Sequence, residues 1–375
     1  MRGLVFLVLA TGCGGRSPLL AHERGAGGKT ADADVSGGWV RGTGTPQSDL
    51  GKGIAVDDQG NVVIVGTTHG ALAAAALGAG DAFVRKLDAR GEVLWTRQFG
   101  TESDDQAMAV ALDGDGGLFV VGCTGGSPEG AAKGDADVFV HKYGPDGGLA
   151  WTRRFGTGDW DCANAVAVDA HGNATVAGAT IDASLEPQTF LRTYAPNGDQ
   201  VRSYDLDLPG TVTCAVAVDP SGNIYLAGSS SSELEGPAAG GLDAVLIKLD
   251  TEAHVAWTRQ YGTAEADGAW AVTIDSGGNL WMAGEKNVRS AGILPRMGEG
   301  FLRSYDPRGT LVFSYSIDDS RWAGAIGVAV DGRGHGFVAG TRTILDPVRS
   351  SISRPYLEEL DAEGTLLAPL PLDDA

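Results

Sequence analysis

Four aspartates recur at one spacing. Asp49, Asp105, Asp161 and Asp267 each stand eight residues before a second Asp (Asp57, Asp113, Asp169, Asp275) that closes an apolar run. Carboxylates gathered in one place are hard oxygen ligands, suited to a cation or to the hydroxyls of a sugar. The plainer use is local: each Asp ties its own loop by accepting backbone N–H groups. Trp160 and Trp322 lie nine residues before Asp169 and Asp331, and this position holds Trp in those two places alone. Exposed indoles at a channel mouth stack on sugar rings or apolar side chains; the alternative is packing into a neighbouring loop.

The cysteines are Cys13, Cys123, Cys162 and Cys214. Cys13 follows "MRGLVFLVLATG", with a positive charge at Arg2, an apolar run from Leu4 to Ala10 and the small Gly12. That is a short secretory signal rather than a membrane span. It resembles the bacterial lipoprotein signal, which implies a lipidated Cys13 and a place in the bacterial cell envelope, extracytoplasmic and at the outer membrane. An ordinary signal cleaved nearby is the alternative. The compartment is then oxidising and allows a disulfide. Cys162 and Cys214, which enter neighbouring repeats, are a candidate pair, with no distance known to settle it.

Enzyme motifs are missing from the sequence. It has no G-x-S-x-G elbow and no H-E-x-x-H pair. No Cys/His spacing suits zinc, and the six histidines are scattered. "ERGAGGKT" from Glu23 to Thr30 approaches a phosphate-binding loop, but Glu23 replaces its first Gly and no apolar strand precedes it. "DGDGG" at 113–117 imitates a calcium loop, yet its counterparts are plain hairpin turns. No catalytic residue, metal or cofactor is expected.

The elements that must position these residues are repeats. The Asp residues closing the "VAVD"-like runs are Asp57, Asp113, Asp169, Asp219, Asp275 and Asp331, spaced by 56, 56, 50, 56 and 56. Each copy carries four strand-like runs separated by turns such as "DDQGN" and "DPSGN". Six such copies predict an all-β, six-bladed β-propeller with four antiparallel strands per blade. In the first run of each copy, one face is small (Gly53 and Ala55, Ala109 and Ala111) and the other branched (Ile54 and Val56, Val110 and Leu112). The large face of one blade is expected to meet the small face of the next, with neither face seeing water. The recurrent Trp95, Trp151 and Trp257 are read as blade-to-blade packing.

The pattern "WTRQFGT…D.A..VAVD..GN..VAG.T" resembles the bacterial β-propeller repeat family known as SBBP, over residues 38–365. That resemblance implies an extracytoplasmic propeller with no defined activity. The family's name refers to seven blades, so seven is the alternative to six. The expected division is 1–12 signal peptide, 13–38 lipidated cysteine and flexible tether, 39–372 propeller and 373–375 tail. Ring closure is assigned to Trp39–Gly44 as the outer strand of the last blade. The run 365–372 is the second choice because Pro369 and Pro371 lack backbone donors.

The formal net charge of −20 repels phosphate backbones, so no nucleic-acid partner is expected. The chain is expected to be a monomer that touches the membrane only through its lipid. The functional expectation is a non-catalytic binding or scaffold module for a protein or glycan partner at the loop face. A polysaccharide hydrolase or lyase and a purely structural envelope protein are the alternatives.

Overall fold

The structure is a computed structural model that describes residues 44–126, 136–181, 187–236, 238–289, 297–317, 323–344 and 352–370. Within them the chain forms six four-stranded antiparallel sheets, each from consecutive strands, and no helix. Sheet one spans Asp49–Phe99, sheet two Asp105–Phe155, sheet three Trp160–Leu206, sheet four Thr211–Tyr261, sheet five Ala266–Ile317 and sheet six Ala323–Leu370. The first strand of each sheet is innermost. This is a six-bladed β-propeller.

Turn chemistry shapes each blade. The Asp57 carboxylate accepts the N–H groups of Gln59 and Asn61 at 3.0 and 2.8 Å, and Asp169, Asp219 and Asp275 repeat the arrangement. The outer-strand "WTR" fastens one blade to the next. Trp95 Nε1 donates to the Pro145 carbonyl at 3.2 Å, and Arg97 Nε to the Gly147 carbonyl at 2.8 Å. Trp151 with Arg153 and Trp257 with Arg259 do the same to the following blades. Gly147 has φ +75°, and a Cβ there would lie 2.7 Å from the Trp95 ring, so the clamp requires glycine on two counts.

Small meets large at five junctions. Ala55 packs with Val110 and Leu112, Ala109 and Ala111 with Val166 and Val168, and Ala165 and Ala167 with Val216 and Val218. Ala215 and Ala217 meet Val272 and Ile274, and Ala271 meets Val328 and Val330. A Cβ on Gly53 would stand 3.1 Å from the Ala109 Cα, so the inner strands approach to backbone contact. The expectation that neither face sees water needs correction. The inner strands are mostly half-buried, and Val56 is 42% exposed. A strand at the hub has a paired neighbour on one edge only.

Ring closure also differs from the sequence reading. The outer strand of sheet six is Leu366–Leu370, pairing Glu358 with Pro369 and Leu360 with Leu366. It takes the position assigned above to Trp39–Gly44, most of which lies outside the described residues. An outer strand has one partner only, so part of its backbone donors are unused in any case and Pro369 is accommodated. No core like the five above joins sheet six to sheet one among the described residues, where Ile54, Ile64, Phe337 and Ala339 remain half-buried.

Candidate functional site

The recurrent aspartates stand at the start of the inner strands. Asp105, Asp161 and Asp267 are 2%, 0% and 3% exposed. Their carboxylates accept the N–H groups of Thr101, Thr157 and Thr263, four residues earlier, each at 2.6 Å. Asp49 holds Thr45 in the same way. Three of these side chains therefore tie their own loops from buried positions instead of crowning the channel mouth.

The same residues join the blades. The N–H of Asp105 donates to the Gly80 carbonyl at 2.8 Å, that of Asp161 to Ala136 at 2.9 Å and that of Asp267 to Leu242 at 2.8 Å. These bonds set Asp105 beside Asp81, Asp161 beside Asp137 and Asp267 beside Asp243 across the blade boundary. Burial pushes the carboxyls of Asp105, Asp161 and Asp267 up, and the neighbouring Asp81, Asp137 and Asp243 add to the rise. Hydrogen bonds from the threonines work the other way.

Trp160 opens the inner strand of sheet three opposite Ile181 and is 37% exposed. Its indole is available on the loop face. Trp322 and Cys13 lie outside the described residues.

The cysteine pairing is corrected. Cys123 in sheet two is bonded to Cys162 in sheet three, with a Cα–Cα distance of 4.7 Å, so Cys162 is not paired with Cys214. Cys214 is outside any disulfide, its Sγ 3.8 Å from the Val212 carbonyl. The register explains the choice. Cys123 faces Gln106 at the loop end of its blade, next to the junction that Cys162 enters. Cys214 sits one blade further round the ring, on an inner strand.

A second set of residues escaped the sequence reading. Each inner strand has a bulge at the same repeat position. In sheet two Ala107 pairs with Gly122 and Ala109 with Val121, leaving Met108 as the extra residue. The other extra residues are Lys52, Asn164, Cys214, Trp270 and Ile326. All six are half-buried. A bulge re-aims its side chain, and at the hub edge it disturbs pairing on one side only. Asn164 Nδ2 donates to the Thr213 carbonyl of the next inner strand at 3.0 Å, and Met108 packs on Cys123 and Cys162. The signal was present in the sequence: five residues before each closing Asp, six copies carry six different residue types between Gly, Ala and Thr neighbours. An ammonium group, a carboxamide, an indole, a thiol, a thioether and an alkyl chain make an asymmetric ring near the loop-face mouth of the hub.

No protein-family model matches the chain. Over 199 residues it is similar to the regulatory protein FlaEY of Caulobacter vibrioides, at 27% identity. The match covers 46% of this chain and 20% of that protein, so the chain spans a small part of its relative's length. Among solved structures it is similar to XC5397 from Xanthomonas campestris, described as a gluconolactonase, with a TM-score of 0.45, 15% identity and 78% and 84% of the two chains covered. It is also similar to the WD40 domain of Neurospora crassa Pan2, with a TM-score of 0.51, 14% identity and 84% of each chain covered. At that identity the likeness to Pan2 shows the β-propeller fold and nothing of activity.

Proposed function

We propose that the protein is a non-catalytic binding module, a propeller of the SBBP-repeat type anchored by a lipid at Cys13 outside the cytoplasm. The mouth of its hub takes a protein or glycan partner. The observation that carries this reading is the bulge ring: a scaffold repeated six times keeps small neighbours in place and varies the one residue that each inner-strand bulge leaves unpaired. Trp160, exposed on the same loop face, extends that surface. The Cys123–Cys162 bond supports an oxidising compartment. A relative named as a regulatory protein favours a partner over a substrate.

The test is affinity capture from native envelope, together with a glycan array, using the full chain and its Trp160→Ala and Trp270→Ala variants. The expected result is one partner or glycan class retained by the unaltered protein and lost at least tenfold by the Trp270→Ala variant. Retention equal in all three proteins would overturn the assignment to this face. Labelling with a radioactive fatty acid in cells, with the Cys13→Ser variant alongside, tests the anchor; equal labelling of both would sink it.

A further inference from the structure

The loop between the second and third strands of sheet one contains "ALAAAALGAG", residues 71–80, without one polar side chain. Ala71, residues 73–76 and Ala79 are exposed, and Leu77 is 53% exposed. The loop is fixed in place. Gln98 Oε1 accepts the N–H groups of Leu72, Ala73 and Ala74 at 2.8, 3.0 and 3.4 Å. Gln98 Nε2 donates to the Gly70 carbonyl at 2.9 Å, and Asp81 accepts the Leu77 N–H at 2.9 Å. A Cβ on Gly78 would lie 2.3 Å from the Thr101 carbonyl oxygen, so the loop rests directly on the loop that enters sheet two. That entry loop carries the exposed Glu102 and Asp104.

Sheet four supplies an internal control, because its loop 231–242 has the same frame. Gln260 Oε1 accepts the N–H groups of Leu234 and Glu235 at 3.0 and 3.3 Å, and Asp243 accepts that of Ala239 at 2.9 Å. A Cβ on Gly240 would lie 2.3 Å from the Thr263 carbonyl oxygen, as Gly78 does with Thr101. Leu234 takes the place of Leu72, and both are half-buried. The exposed positions differ. Glu233, Glu235 and Ala239 stand where sheet one has Ala71, Ala73 and Leu77. The second repeat has Ser127, Glu129 and Lys133 at those positions. The frame accepts acids at two of the three and alanine at the third, so packing does not require the apolar side chains of sheet one. An exposed apolar surface on a fixed backbone, with charges at its border, has the make-up of a docking site.

We propose that this loop docks a protein partner whose contact face is apolar and bordered by lysine or arginine. Glu102 and Asp104 at the rim, in a chain of net charge −20, are complementary to positive charge around the partner's apolar centre. A sugar needs polar groups for its hydroxyls, and residues 71–80 have no side chain that could supply them. Loops that settle on a bilayer do so with Trp, Tyr, Lys or Arg at the interface. This loop has none of these, and both rim acids oppose anionic lipid. In a symmetric pairing of two copies the same acids would face one another. The docking loop goes beyond the hub-mouth reading and does not rest on it.

The experiment places a benzophenone amino acid at Ala75 of the full chain in living cells, with Glu233 of sheet four as the matched control. The crosslinked peptide is then sequenced by mass spectrometry. The expected result is one discrete protein adduct from Ala75, none from Glu233, and a captured segment that is apolar with Lys or Arg beside it. The A71E/A73E/L77A variant gives the loop the residues that sheet four already carries. The E102K/D104K variant reverses the rim and leaves the loop untouched. Each is expected to lower the adduct yield about tenfold, with near-UV circular dichroism compared with the parent. The segment captured by the unaltered chain is decisive whether or not the variants fold. No adduct, an adduct of two copies or of lipid, a polar or acidic captured segment, or a yield that either variant leaves unchanged overturns the proposal. Met108 is crosslinked in parallel: an adduct there with none at Ala75 removes the docking loop alone, and the reverse removes the hub-mouth reading alone.

Discussion

Cys123 and Cys162, 39 positions apart in sequence, are bonded across the boundary between the second and third sheets. They lie at the loop end of the blades, where Ala136 also receives the Asp161 N–H. Closing a loop of 39 residues stabilises the fold by about 4 kcal/mol through the unfolded chain. The C123A/C162A variant is therefore expected to unfold at a lower denaturant midpoint with little change of fold. An unchanged midpoint under oxidising conditions would show that the bond is not formed in solution.

Gly122 cannot carry a side chain. A Cβ there would stand 1.9 Å from the Gln106 carbonyl oxygen and 3.0 Å from the Phe139 ring. Gly66, Gly178, Gly228, Gly284 and Gly340 have the same conflict with the carbonyl of their inner strand. Gly122→Ala must shift a paired strand and is expected to cost about 3 kcal/mol, read by urea denaturation. Gly114→Ala, where nothing lies within 4 Å, is the control and should cost well under half of that.

The propeller's shape was readable because each rule was repeated. Alternating small and branched residues, Asp-to-Gly turns and the "WTR" clamp all survive in the structure, since each acts through near neighbours or through one adjacent blade. The closing strand was misassigned because Pro369 was weighed as if it lay inside a sheet rather than on an edge. The Cys162 pairing failed for a different reason: sequence gives repeat position but not the offset between inner and second strands, and that offset brings Cys123 to the junction. The hub residues were hidden by the opposite habit. Recurrence marks the residues that serve the repeat, whereas Lys52, Met108, Asn164, Cys214, Trp270 and Ile326 share a repeat position without sharing a residue type.

Acidity should act on the junctions with a defined sign. The raised carboxyls of Asp105, Asp161 and Asp267 mean that the folded chain holds protons more tightly than the unfolded chain. Stability is expected to fall as pH rises from about 4, the ordinary carboxylate value, through the raised values, and then to level off. Asp57 and Asp219 work in the other direction. Burial opposes them, but hydrogen bonds from Asn61 and Asn223 outweigh it and hold both carboxyls low. Their contribution is lost only as pH drops below about 4. Melting curves across pH separate the two windows; a curve that rises steadily between pH 4 and 7 contradicts the assignment.

Sheet one and sheet six share no buried core of the kind found at the other five junctions, among the described residues. Amide exchange should therefore be fastest in the inner strands Asp49–Val56 and Ala323–Val330 and slower in Asp105–Leu112 and Thr211–Val218. Mass-spectrometric hydrogen exchange resolves these segments. Equal protection in all four would mean that the ring is closed as tightly there as elsewhere.

The hub-mouth assignment is tested most directly by photo-crosslinking in living cells. A benzophenone amino acid is placed in the full chain at Met108, Cys214 or Ile326 in the bulge ring, and at Leu94 or Val201 on exposed outer strands. The account predicts one discrete adduct, shared by the three hub positions and missing from the two outer ones. Adducts from Leu94 and Val201, with none from the hub, would contradict it.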